Sequence, residues 1–308
     1  MNDLAQPENA AFIGIFVIGG IAACLATWIW IATRLARGEP VLPYEPRRRV
    51  PWRFGDVAAV FLIYLFPALL GLALSFTGVA AGRGQPDEAA RPEEVGVSHP
   101  VLDLLATDPG FLTLVFCIFV VVAVAPVVEE FLFRLVLQGW LERVERRRIR
   151  VRAMPPPIRG LMPVLVTAIL FASLHFRVAQ PKLEPTRVVD MLIQVAVWNL
   201  VVLATGVALL RMRRGATLVD FGVVPERILP DIGLGLLTFF AVAAPIYSLQ
   251  AVLHFLLSDW FAPDPITLMF FAMALGLLYF RTHRIVAPVT LHMALNGTSL
   301  LVAWLASR

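Results

Sequence analysis

Residues 111–141 read FLTLVFCIFVVVAVAPVVEEFLFRLVLQGWL, 31 residues in which only Glu129, Glu130 and Arg134 carry a charge. A helix at the surface of a soluble domain is apolar along one stripe, whereas this stretch is apolar almost all round. Such a segment belongs in hydrocarbon, and about 20 residues at ~1.5 Å each cross a bilayer core. Seven further apolar blocks accompany it, at residues 11–33, 57–77, 161–176, 188–210, 232–257, 266–280 and 285–306. None alternates with a period of two. Because a bilayer offers the backbone no water, each block is predicted to pair its amides within itself as a helix, not across a barrel as a strand. The expected fold class is all-α, a polytopic membrane protein of about eight transmembrane helices.

The composition agrees. Of 308 residues, 59% are hydrophobic and 16% charged, with a mean hydropathy of +0.79; a soluble domain holds about a quarter charged. The net charge of +4 does not point to nucleic acid, because it comes from arginines grouped in alternate loops. Nineteen of the 26 basic residues fall in the loops 34–56, 142–159, 211–231 and 281–284, against six on the opposite side. The positive-inside rule then gives eight crossings, both termini outside, and an exterior acidic loop at 86–108. Block 11–33 is expected to stay as the first helix, since Asp3 and Glu8 precede it with no Lys or Arg, unlike a cleaved leader. Cys24 and Cys117 both lie in apolar blocks, which leaves no loop disulfide and no cysteine-based metal spacing. Lys182 is the single lysine beside 25 arginines, a bias that goes with GC-rich bacterial genomes. The expected location is a cell membrane, multi-pass, and specifically a bacterial cytoplasmic membrane.

Chemistry in such a chain is sought where polarity is expensive. A charge at mid-helix costs about 2.5–3.5 kcal/mol on insertion scales, so an intramembrane ionisable residue calls for a partner or a function. Glu130 and Arg134 are four apart, Glu first, and face each other across one helical turn. A structural ion pair explains those two and leaves Glu129, about 100° around the helix, without a reason. Glu129 is therefore the candidate to take a proton from water. Block 161–176 holds Phe171 and His175, and block 285–306 holds His292 and Asn296, each pair spaced i,i+4. At that spacing a ring or an amide can hold an imidazole in one orientation and tautomer. Either pair alone reads as packing. Counted from the cytoplasmic ends of their blocks, Glu129 lies about 18 Å deep, His175 about 21 Å and His292 about 10 Å, a spread that tilt and a kink at Pro126 or Pro163 can absorb. One active-site cavity inside the helix bundle is expected to hold all three. His99, His254 and His283, in or near loops and block ends, receive no role.

In order, Glu129-Glu130-x-x-x-Arg134, Phe171-x-x-x-His175 and His292-x-x-x-Asn296 resemble the three motifs of the CAAX-protease and bacteriocin-processing family of intramembrane proteases, also called CPBP or Abi. The resemblance includes Ala125-Pro126 ahead of the first motif and Phe133 within it, and takes nothing from residues 1–110. It implies an all-helical membrane endopeptidase in which Glu129 is the catalytic glutamate and Glu130 with Arg134 the supporting pair. By the same resemblance His175, beside Phe171, shares in activating water, and His292 with Asn296 stabilises the oxyanion. Members cut prenylated CAAX proteins or are linked to bacteriocin maturation and self-immunity, which implies membrane-associated peptides or proteins as substrates. Between His175 and His292 lie 116 residues, more than the compact family core holds. Residues 177–264 accordingly read as an insertion within a protease domain at 111–306, preceded by a two-helix membrane region at 1–110.

Three classes of function compete, the first, an endopeptidase, in two versions. In the favoured one Glu129 and His175 activate water directly and no cofactor is required. In a metallo-type variant Glu129, His175 and His292 would form a three-ligand zinc site with one open position, although the chain lacks His-Glu-x-x-His. In a different class, a proton-coupled transporter would use Glu129 and the histidines as a relay, and is expected to carry inverted repeats that the sequence does not display. A non-catalytic immunity protein that sequesters a peptide with the same fold is the third class. Membrane lipid is a partner in all of them.

Overall fold

Each apolar block is a helix in the computed structural model, which describes residues 7–45, 50–76, 95–96, 101, 104, 107, 110–148, 160–176, 180–181, 185–257 and 264–306. In chain order these are α1 (Pro7–Ala36), α2 (Phe54–Phe76), α3 (residues 111–148), α4 (Leu161–Leu174), α5 (Pro185–Arg214), α6 (Ile228–Leu257), α7 (Asp264–Thr282) and α8 (Val286–Ala306). Seven of them are long and apolar enough to cross a membrane, and α4, with 14 residues, is the exception. The protein is thus an all-α, multi-pass membrane protein. His99 and most of the 86–108 loop lie outside the described residues.

The threading expected from loop charge is visible as contacts between loops. Asp56, at the start of α2, meets Arg214 at 2.6 Å and Arg213 at 3.5 Å, at the end of α5. Arg284, between α7 and α8, pairs with Asp231 at 2.7 Å and also with Glu45. Arg143 donates to the carbonyls of Val50, Pro51 and Trp52, and His283 meets Glu142 at 3.1 Å. Four arginine-rich connections therefore share one face. On the other face β1 (Val95–Gly96) pairs antiparallel with β2 (Gln180–Pro181), joining the segment before α3 to the one after α4.

The centre of the bundle is α3, and it is not a uniform helix. It runs as α over Phe111–Ile118, π over Phe119–Val124, α over Ala125–Glu130, π over Phe131–Gln138 and α again over Gly139–Arg148. Pro126 supplies a local cause for the first π stretch. In α register its ring would clash with the carbonyl four residues back, and the wider i→i+5 turn relieves that. All eight residues of Phe131–Gln138 are buried. They pack against Val57 and Val60 of α2, Phe171 of α4, Val202 of α5, and Ala272 and Tyr279 of α7, and Trp52 Nε1 donates to the Val136 carbonyl at 3.0 Å. Around this axis α4 lies along α7 and α8 along α6, with α1 outermost against α6. Close approach depends on glycine at two places. A Cβ on Gly235 of α6 would fall 2.6 Å from the Ala287 carbonyl of α8, and one on Gly206 of α5 would fall 2.9 Å from the Phe131 ring.

Candidate active site

Glu129 and Glu130 close the short α turn between the two π stretches of α3. Neighbours on a helix point about 100° apart, so the two carboxylates enter different surroundings. Glu130 turns into the core and is fully buried. Its Oε2 accepts from Arg134 Nε at 3.2 Å and its Oε1 from His292 Nδ1 at 2.9 Å. Arg134 reaches on to Thr167 Oγ1 of α4 at 3.4 Å and lies over the Phe171 ring, 5.6 Å from its centre. Glu129 sits at the rim of the core with 20% of its side chain exposed. Its Oε1 is 3.9 Å from His175 Nε2 and its Oε2 is 3.6 Å from His292 Nε2.

The three sequence motifs meet, as their depths required. His175 caps α4, where the chain leaves helical geometry at φ −96° and ψ 5°. Its Nδ1 lies 2.8 Å from the Phe171 carbonyl. A carbonyl only accepts, so Nδ1 carries the hydrogen, and in the neutral ring Nε2 presents a lone pair to Glu129. The Phe171 ring stacks on His175 at 4.4 Å and meets the edges of His292 at 5.9 Å and Phe133 at 5.2 Å. Phe271 backs His292 from α7 at 5.3 Å. Both imidazoles are therefore clamped by aromatic rings, and each is fixed at Nδ1 by an oxygen. The gaps from Glu129 to the two Nε2 atoms exceed a direct hydrogen bond of about 2.7–3.2 Å and suit a shared water.

One expectation needs correction. His292 is oriented by Glu130 of α3; Asn296, four residues on, donates its Nδ2 to the Val121 carbonyl at 3.0 Å. Among the described residues no group of three or more His, Cys, Asp or Glu side chains is arranged to hold a metal ion.

One neighbour escaped the sequence reading. The Tyr64 phenol of α2 lies within electrostatic reach of the Glu129 carboxylate, and the Tyr64 carbonyl accepts from Trp198 Nε1 of α5 at 3.2 Å. A phenol within an apolar block is the available signal, since a buried tyrosine hydroxyl asks for a polar neighbour. A cavity of about 250 Å3 opens elsewhere, on the arginine-rich face, lined by Glu45, Glu142, Tyr279 and His283 among others and by none of the motif residues. The motif side chains converge away from it.

No curated protein and no solved structure matches the chain. A family described as Rce1-like, Type II CAAX prenyl endopeptidase Rce1-like, matches residues 111–219, a stretch that includes Glu129, Glu130, Arg134, Phe171 and His175 and ends before His292 and Asn296. It also continues through α5, inside the region read as an insertion. Over the central helix and its neighbours, residues 111–219, the chain is thus similar to the Type II CAAX prenyl endopeptidase Rce1-like family, within a multi-pass helical bundle.

Proposed function

We propose that this protein is an intramembrane endopeptidase of the glutamate type, which hydrolyses peptide bonds in membrane-associated peptides or proteins. The observation that carries the reading is the placement of Glu129. Its carboxylate lies between His175 Nε2 and His292 Nε2, while the adjacent Glu130 is already occupied by Arg134 and His292.

In this reading a water is held between Glu129 Oε1 and His175 Nε2. Its oxygen attacks the scissile carbonyl carbon as Glu129 takes the proton. The electron pair moves to the carbonyl oxygen, and His292, protonated and held through Nδ1 by Glu130, offers Nε2–H to it. Collapse breaks the C–N bond, and the proton on Glu129 passes to the departing amine. No step needs a cofactor. Residues 111–306 serve as the protease unit, α1 and α2 as an N-terminal pair of which α2 closes one side of the site, and the location is a bacterial cytoplasmic membrane with the arginine-rich face inside.

The test is to incubate detergent-purified protein with membrane-tethered peptide libraries and analyse the products by mass spectrometry. Glu129→Gln and His175→Ala are each expected to lower turnover by about 10²–10⁴-fold, the usual range for loss of a general base. Excess chelator is expected to leave wild-type turnover unchanged. Cleavage that survives both substitutions removes the mechanism, and loss on chelation with recovery on added zinc replaces it with a metal-dependent one.

A further inference from the structure

Pro126 stands where the π stretch Phe119–Val124 gives way to the α turn Ala125–Glu130. In π register each carbonyl takes the amide five residues on, as Val120 does from Ala125. The next carbonyl in that series is Val121, and the amide due to it belongs to residue 126, a proline with no N–H. A carbonyl without a donor is costly in the bilayer interior. Here the donor comes from another helix, as Asn296 Nδ2 of α8 lies 3.0 Å from the Val121 oxygen. The helices are in contact at that point, since a Cβ on Gly297 would lie 3.5 Å from the Val122 side chain.

The same two helices are joined again one turn along α8, where His292 bonds Glu130. Between these two ties α3 contains the π-to-α transition and Glu129. A tie above the transition and a tie below it leave the intervening turn no freedom to wind or unwind. That matters because the imidazoles facing Glu129 stand 3.6 and 3.9 Å away, beyond direct hydrogen bonding, which leaves the backbone to set its direction.

We propose that Asn296 is a positioning residue: its side-chain amide replaces the backbone donor that Pro126 lacks, holds the π turn in register, and fixes the angle at which Glu129 leaves α3 toward His175 and His292. This rests on the endopeptidase reading for its catalytic part. In this role Asn296 acts through Glu129.

A double-mutant cycle tests it on the full chain in detergent, with wild type, Asn296→Ala, Pro126→Ala and the double variant. Pro126→Ala restores a backbone N–H for Val121, and Pro126→Gly serves the same purpose if the alanine variant does not purify folded. Asn296→Ala is expected to lower kcat by about tenfold at unchanged KM, measured well below the melting temperature, the scale of one lost donor to a buried acceptor. It is also expected to lower the melting temperature. With residue 126 able to donate, the same substitution should change kcat by less than about twofold and the melting temperature little, because coupled groups are non-additive. Asn296→Asp, equal in size but without the donor, should follow Asn296→Ala. Equal losses in both backgrounds overturn the proposal and return Asn296 to a direct role at the oxyanion. If wild type cleaves no tethered peptide, the endopeptidase reading falls, and the melting-temperature cycle alone still decides whether Asn296 substitutes for the missing amide.

Discussion

Glu129 and Glu130 are the same side chain placed by one step of the helix in opposite circumstances. Glu130 is enclosed by Arg134 and His292 and fully buried, and Glu129 is left at the rim between two imidazoles. The buried pair sets a clear expectation. Arg134→Met leaves Glu130 with only His292, and breaking a buried ion pair from one side costs about 3–5 kcal/mol. The variant should melt far below wild type in detergent, or fail to accumulate folded, and a melting temperature within a degree or two of wild type would show that Arg134 does not neutralise Glu130. The pairing of Glu130 with Arg134 was legible in the sequence because both lie on one helix four residues apart. That Glu130 also holds His292, and that Asn296 serves Val121 instead of its own neighbour, was not. Such bonds join helices far apart in the chain, and i,i+4 spacing speaks only for residues within one helix.

At the scale of the element, hydropathy located all eight helices because an apolar block of sufficient length has few other structures available in lipid. It could not locate the two π stretches of α3, since register shifts change neither composition nor length, and Pro126 was the single hint. The ends moved for a related reason. Helical hydrogen bonding does not stop where hydrocarbon does, so α5 runs on to Arg214 and α3 into its arginine-rich end. Helix contacts depended on residues that hydropathy passes over. Gly235 lets α6 touch the backbone of α8, the helix that carries His292. Gly235→Leu should destabilise the bundle by about 1–3 kcal/mol, the cost of overpacking a close contact, seen as a lower melting temperature. Gly233→Leu, on the same helix with open space at its Cβ, should leave it unchanged. Equal shifts for the two would contradict the close approach of α6 and α8.

For the whole molecule, the alternation of arginine-rich loops gave the threading, and Asp56, Arg143, Asp231, His283 and Arg284 carry it into contacts that gather those loops on one face. The site itself was only partly legible at this scale. The motifs named side chains that the fold brings together, while Tyr64 of α2, within electrostatic reach of Glu129, lay outside every motif. One dimension of the bundle remains consequential. The 14 residues of α4 rise only about 21 Å, short of a hydrocarbon slab of about 30 Å, and His175 stands at the end of that rise. On the proposed reading, a bilayer that thins beside α4 is expected to bring Glu129 nearer the headgroups, so that its depth depends on the lipid as well as on the protein. Reconstituted into vesicles of graded acyl-chain length, the protein should turn over tethered peptides fastest in the thinnest bilayers and slow steadily as the chains lengthen.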